Sequence, residues 1–275
     1  MKIKAKGIGH GRAKSSIVVS QLPISFLGGV DPAKGAVVEA SSDIKGKSFA
    51  GKILAFPHGK GSTVGSYVIF QLKKSGTAPA AILNHKAEAI VATGAILAGI
   101  PMLTGIPVEA LKEGDRAIID ADEGTLEMPD VDERTVVTVI VKKGDKVLIL
   151  KRSGKVSTYA GKWAGVSGGL QPGEEPLEAA RREMKEETGL GLGPKEIAVR
   201  GEPIYARDNE MLWEVHPFLV EIQEESIALN WEHDEYRWVS PGEIGDYHTV
   251  PKLDKVIESL LKGQSVAEKK VCRPI

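Results

Sequence analysis

Apolar positions in the first half of the chain come in short runs broken by glycine. Ser16–Ser20 (SIVVS), Ala36–Glu39 (AVVE) and Gly51–Phe56 (GKILAF) predict short strands. His58–Gly61 predicts a tight Gly-rich turn after the third of these. Ser66–Lys73 (SYVIFQLK) fits a helix or a strand, because its periodicity does not separate the two. Ala80–Asn84 and Ile100–Thr104 are short apolar runs. The most apolar stretch, Ala89–Thr104, is shorter than the ~20 residues a membrane helix needs and is broken by Gly94, Gly99 and Pro101. It predicts buried core with a turn between helix and strand. Arg116–Asp120 and Gly124–Glu127 predict a hairpin turning at Asp122–Gly124.

Met128–Glu133 (MPDVDE) reads as a linker. Beyond it the pattern changes. Thr135–Val141, a turn at Lys142–Lys146 and Val147–Lys151 form a hairpin signal. Pro176–Thr188 predicts a helix that opens on proline and stops at Gly189. Trp213–Glu221 and Tyr236–Val239 predict strands. Leu253–Leu261 predicts an amphipathic helix with apolar residues at 253, 256, 257, 260 and 261.

The composition sharpens this division. The chain has 275 residues, 42% hydrophobic and 27% charged, the balance of a soluble globular protein. Its net charge of −1 excludes a globally basic binder of nucleic-acid polymers. Residues 1–130 hold 15 Lys/Arg against 12 Asp/Glu, a balance of +3, and the remainder carries −4. All four tryptophans lie in the second half. The basic N-terminus lacks the apolar core of a signal peptide, so the expected location is the cytoplasm, with no membrane association. The lone Cys272 cannot supply a disulfide, a four-thiolate zinc site or an iron–sulfur cluster within this chain.

In Gly168–Leu190 (GGLQPGEEPLEAARREMKEETGL), Glu183, Glu186 and Glu187 share one helical face. Three carboxylates on one face repel one another, and a hard divalent cation relieves that repulsion. Arg181 and Arg182 precede the cluster and can hold it. The loop from Gly168 to Gly173 offers backbone N–H groups near a possible phosphate. The alternative is a solvated charged face. The spacing resembles the Nudix box at every fixed position: Gly168, Glu174, Arg182, Glu183, Met184, Glu186, Glu187, Gly189 and Leu190. The resemblance runs over residues 134–262. It implies an α/β/α sandwich that hydrolyses a diphosphate linkage in a nucleotide derivative or similar small molecule. By position, Glu183, Glu186 and Glu187 hold Mg²⁺ or Mn²⁺, and Glu186 or Glu183 acts on the attacking water. Gly168, Gly169 and Arg182 are the implied substrate contacts. Glu232 and Glu235 are candidates for a carboxylate outside the box, Trp163, Tyr205 and Trp213 are candidates for stacking, and His233 reads as structural. Isopentenyl-diphosphate isomerases share the fold but use an active-site cysteine, so an intact box with a tail cysteine favours hydrolysis.

Phe56–Tyr67 (FPHGKGSTVGSY) joins a strand end, three glycines, a lysine and two hydroxyls. Such a turn suits an anion, with positive charge from His58 and Lys60, although a Gly-rich turn is also an ordinary structural device. Together with residues 24–35, 51–84 and 92–103, it resembles the small subunit of archaeal phosphomevalonate dehydratase, the swivel domain of the aconitase X group. That resemblance implies a swivelling β/β/α fold and loss of water from mevalonate 5-phosphate. It places the general base at Ser62 and substrate contacts at His58, Gly59, Lys60, Gly61 and Thr63, with Ser66 and the Gly28–Asp31 turn as further candidates. It implies a [4Fe–4S] cluster on a separate large subunit.

The expected architecture is therefore α/β in two domains: a swivelling β/β/α domain over residues 1–130 and a Nudix α/β/α sandwich over residues 131–275. The expected function is a bifunctional fusion in the modified mevalonate pathway. The alternative is a Nudix pyrophosphohydrolase whose first domain only docks another protein.

Overall fold

The computed structural model describes residues 1–193, 197–208, 211–223 and 226–271, with backbone only over 264–271. Cys272 lies outside the described residues. The chain divides into two compact units, Met1–Glu133 with Arg207–Leu212, and Arg134–Ala206 with the chain from Trp213 onward. Among the described residues no helix is long and apolar enough to cross a membrane.

The first unit is built on an eight-stranded sheet. Its order is Lys2–Lys4, Thr125–Glu127, Arg116–Asp120, Arg12–Val19, Ile53–Phe56, Ala81–Asn84, Met102–Thr104 and Lys6–Ile8. The stretch from Arg12–Val19 to Met102–Thr104 is parallel, and both flanks are antiparallel. Parallel neighbours need crossovers, and two helices supply them: α1 (Gly65–Lys74) and α2 (Ala89–Ala98). This settles Ser66–Lys73 as helix. Ala89–Thr104 is a helix, a left-handed Gly99 cap at φ 60° and a strand, the expected turn between helix and strand, but it is buried only in part: Ile96 and Leu97 lie on the outer face of α2 and are exposed. α1 and α2 approach closely because of Gly94, where a Cβ would stand 2.7 Å from Ile69 Cδ1 and 3.2 Å from Ser66 Cα. Phe26, Phe49, Phe56, Ile69 and Leu72 fill the core beneath them.

Two expectations change here. Gly59–Lys60 is not simply a turn: it forms a short strand parallel to Ile24–Ser25, and the chain reverses only at Gly61, φ 97°. Met128–Glu133 is not a loose linker. Met128 and Val131 are buried, the Met1 ammonium donates to their carbonyls at 3.1 and 2.8 Å, and a long strand starts at Asp132.

The second unit is a sheet between two helices. Asp132–Lys143 is central, and successive residues point to opposite faces. Val137, Val139 and Val141 meet Ala179, Ala180 and Met184 of α3 (Pro176–Thr188) on one side. Ile140 on the other side meets Leu253, Val256, Ile257 and Leu260 of α4 (Leu253–Val271). Burying an aliphatic side chain of this size contributes roughly 1.5–3 kcal/mol. α4 keeps the expected apolar face and runs ten residues past the expected end. α3 opens on Pro176 and ends at left-handed Gly189, φ 75°, as its sequence predicts.

Candidate functional site

In the second unit the site is assembled around Arg182. Its guanidinium donates to Glu174 through Nε at 2.9 Å and Nη2 at 2.8 Å. Nη1 reaches Glu183 at 2.6 Å and Glu186 at 3.5 Å, and Nη2 also reaches the Gly169 carbonyl at 3.0 Å. One arginine thus ties the loop before α3 to the carboxylates on it. This forked pairing holds the Glu174 carboxyl down at about 2. Glu174 also accepts the Gln171 amide at 2.9 Å, which folds the loop back onto the helix. Arg182 therefore works as a clamp and not as a free substrate contact. Arg181 does not join it: its Nε is buried without a partner.

The first glycine of the box makes room for a carboxylate. A Cβ on Gly168 would overlap the Glu183 carboxylate. Gly168 pairs with Val137 in the sheet, and the Leu170 amide donates to the Thr135 carbonyl at 3.2 Å. The Leu170 and Gln171 amides thus serve the fold.

Glu183 and Glu187 are buried, and Glu186 is exposed. Burial pushes the carboxyls of Glu183 and Glu187 above the usual range, Glu187 by far the more, with the like charges around them adding to the effect. Glu187 accepts the Ser167 amide at 3.2 Å. Among the described residues no trio of carboxylate, imidazole or thiol groups already stands at coordination spacing. The donor set nevertheless suits a hard cation: three carboxylates, two of them buried, with Arg182 drawing Glu183 aside.

Glu232 and Glu235 separate here. Glu232 lies within electrostatic reach of both Glu183 and Glu187. Glu235 is paired with Arg237 at 2.6 Å. Trp163 is core, edge-on to Tyr247 at 5.4 Å with Arg237 over its ring. Tyr205 donates to Glu214, and Trp213 packs against Tyr159 at 6.0 Å. Sequence reasoning missed two neighbours of the glutamates. Arg152 is held by the Thr158 carbonyl at 3.0 Å, and its charge reaches Glu187. Trp231, 64% exposed, immediately precedes Glu232.

In the first unit the Gly-rich segment lies beyond the C-terminal end of the strand Ile53–Phe56. Ser62 and Thr63 are exposed, and Ser66 is buried in the first turn of α1. The Ser62 hydroxyl accepts the Val64 amide at 3.3 Å. Positive charge is not free here as the sequence suggested. Lys60 is paired with Glu39 at 2.6 Å, His58 Nδ1 lies 2.9 Å from the Gly59 carbonyl, and the Gly59 amide donates to Glu88 at 2.9 Å. Glu39 and Glu88 were not read as site residues; they lie 21 and 29 positions from their partners, and no local pattern marks them. Gly28 has φ 77° and Gly29 abuts Ser25, so that turn borders the same loop.

A family model for the aconitase X swivel domain matches residues 2–128, and one for the NUDIX domain matches residues 132–260. The phosphomevalonate dehydratase small subunit of Thermococcus onnurineus is 60% identical over 130 residues, 47% of this chain and 100% of that protein. The crystal structure of Thermococcus kodakaraensis aconitase X (holo-form) is similar at 55% identity, with a TM-score of 0.46, over 46% of this chain and 98% of that one. The MutT protein of Methanosarcina mazei is similar at 25% identity, with a TM-score of 0.40, over 52% of this chain and 98% of that one.

Proposed function

We propose that this chain, which belongs to the aconitase X swivel family through its first half and to the Nudix family through its second, is a fusion of a dehydratase small subunit with a diphosphate hydrolase. The division of labour proposed here falls at residues 130 and 131.

The observation that carries the hydrolase reading is the Arg182 clamp, which fixes Glu183 and Glu186 on one edge of α3. Glu183, Glu186 and Glu187 are the residues to hold Mg²⁺ or Mn²⁺. When bound, the cation supplies charge neutralisation at the diphosphate and a more acidic water. Glu186, the exposed member, is the candidate to accept the proton of that water, with Glu232 placed to assist. The substrate is a diphosphate ester, either a nucleotide derivative or a prenyl diphosphate such as isopentenyl diphosphate. A Mg²⁺-dependent assay over nucleotides, sugar nucleotides and prenyl diphosphates tests this. Turnover of prenyl diphosphates is expected from the fusion; turnover confined to nucleotides removes that choice, and no turnover at all removes the hydrolase.

For the first unit the proposed role is the small subunit of a mevalonate 5-phosphate dehydratase, with Ser62 as general base. A serine hydroxyl is a weak base and needs an electropositive setting. Lys60, the cation of this loop, is engaged by Glu39, so that setting has to come from elsewhere. A large subunit carrying a [4Fe–4S] cluster is the proposed source. The surface fits a partner: Leu27, Val38, Val64 and Tyr67 are exposed apolar side chains on and beside the Ser62 loop, and Tyr67 is 68% exposed. Tyr67→Asp is expected to abolish co-purification with the large subunit while diphosphate hydrolysis stays at the wild-type rate. Retained co-purification places the contact elsewhere.

A further inference from the structure

His233 is the buried titratable group that the proposed chemistry leaves unused. Its side chain is fully buried, and neither ring nitrogen has a hydrogen-bond partner. Nε2 stands 3.9 Å from Glu187 Oε2, itself almost fully buried. The backbone puts it there deliberately. The strand His233–Val239 pairs with Lys146–Arg152, and the register slips between Lys151 and Arg152, so that Lys151 faces Glu235 while Arg152 faces His233. A bulge of this kind re-aims a side chain beside a site. The His233 amide is further tied to the Asn230 carbonyl at 3.3 Å, and the neighbouring Glu232 carbonyl accepts the Ser153 amide at 2.7 Å.

A position that served packing alone would favour an apolar ring, since burying a polar group without a partner costs stability. Nε2 has one evident acceptor nearby, Glu187 Oε2, the same oxygen that accepts the Ser167 amide at 3.2 Å. We propose that His233 is a positioning residue that donates Nε2–H to Glu187 and fixes the direction in which that carboxylate meets a divalent cation. The proposal rests on the reading of Glu187 as a metal ligand. Closing the present gap to hydrogen-bond distance requires a shift of about 1 Å between the two groups.

The test uses the full chain and Mn²⁺, whose free form is counted by electron paramagnetic resonance. His233→Phe is expected to weaken Mn²⁺ binding by about 10–100-fold, the range for losing the group that orients a ligand. The same variant is expected to unfold at an unchanged or higher temperature without metal, because two buried unpaired nitrogens are gone. His233→Gln, whose amide N–H reaches a similar point, is expected to recover affinity to within about threefold of wild type, a small part of that range. Wild-type affinity in His233→Phe overturns the proposal. So does a Gln variant no better than Phe, or a Phe variant whose metal loss tracks a fall in metal-free unfolding temperature. If the wild-type chain binds no Mn²⁺, the metal-site reading fails first and takes this one with it.

Discussion

Gly168→Ala is expected to cut the proposed metal-dependent diphosphate hydrolysis steeply while the protein stays folded. Circular dichroism is expected to be unchanged, and kcat is expected to fall by about 10²–10³-fold, the loss typical of removing one preorganised charge-stabilising group. The cause is a single methyl group. It occupies the volume in which the Glu183 carboxylate rests, so Glu183 has to leave both that seat and its 2.6 Å contact with Arg182. Glu186→Gln gives a comparison with no displacement, because Glu186 is exposed and makes only a 3.5 Å contact with Arg182. It is expected to fall as far through loss of a charged donor. Metal titrations are expected to separate the two, since the Ala variant shifts the seat of a proposed buried ligand and the Gln variant removes the charge of a proposed exposed one. Full activity in Gly168→Ala would show that Glu183 is not needed where it stands.

Ser62→Ala, assayed in the complex with the large subunit, is expected to lower dehydration by about 10²–10⁴-fold, the range for a general base. Hydrolysis by the same preparation is expected at the wild-type rate, since Ser62 belongs to the other unit. The variant is mild for the fold. Ser62 is exposed, and its hydroxyl makes one long hydrogen bond, 3.3 Å to the Val64 amide. Dehydration that survives intact favours the docking alternative, in which the first unit recruits a partner without doing chemistry.

What the sequence revealed follows the range of the interactions involved. The box was legible because its logic is local: Glu183, Glu186 and Glu187 share a face by helical geometry, and Pro176 and Gly189 bound the helix. Glu174 and Arg182 are eight positions apart and pair as their fixed spacing implies. The Gly-rich segment was legible as a place but not in its electrostatics. Glu39 and Glu88 neutralise and tether it from 21 and 29 residues away, and only the topology brings them there. His233 and Glu187 meet across 46 positions through a register slip that no periodicity announces. Ser66–Lys73 was ambiguous because an apolar run suits either state. The parallel strands on each side decide it, since only a crossover can join them. Trp163 beside a strand reads more readily as core than as a stacking platform, and it is buried against Tyr247.

The Arg182 clamp has a thermodynamic consequence. Loop, helix and carboxylates are joined by one guanidinium before any cation arrives. Conformational entropy lost in arranging the ligands is therefore charged to folding and not to metal capture. A cation entering such a site would find loop and helix already joined, and would still have to turn Glu183 away from Arg182 and draw Glu187 toward His233. On the proposed reading a chelator is expected to silence hydrolysis without melting the second unit, unlike small domains whose fold exists only with their metal.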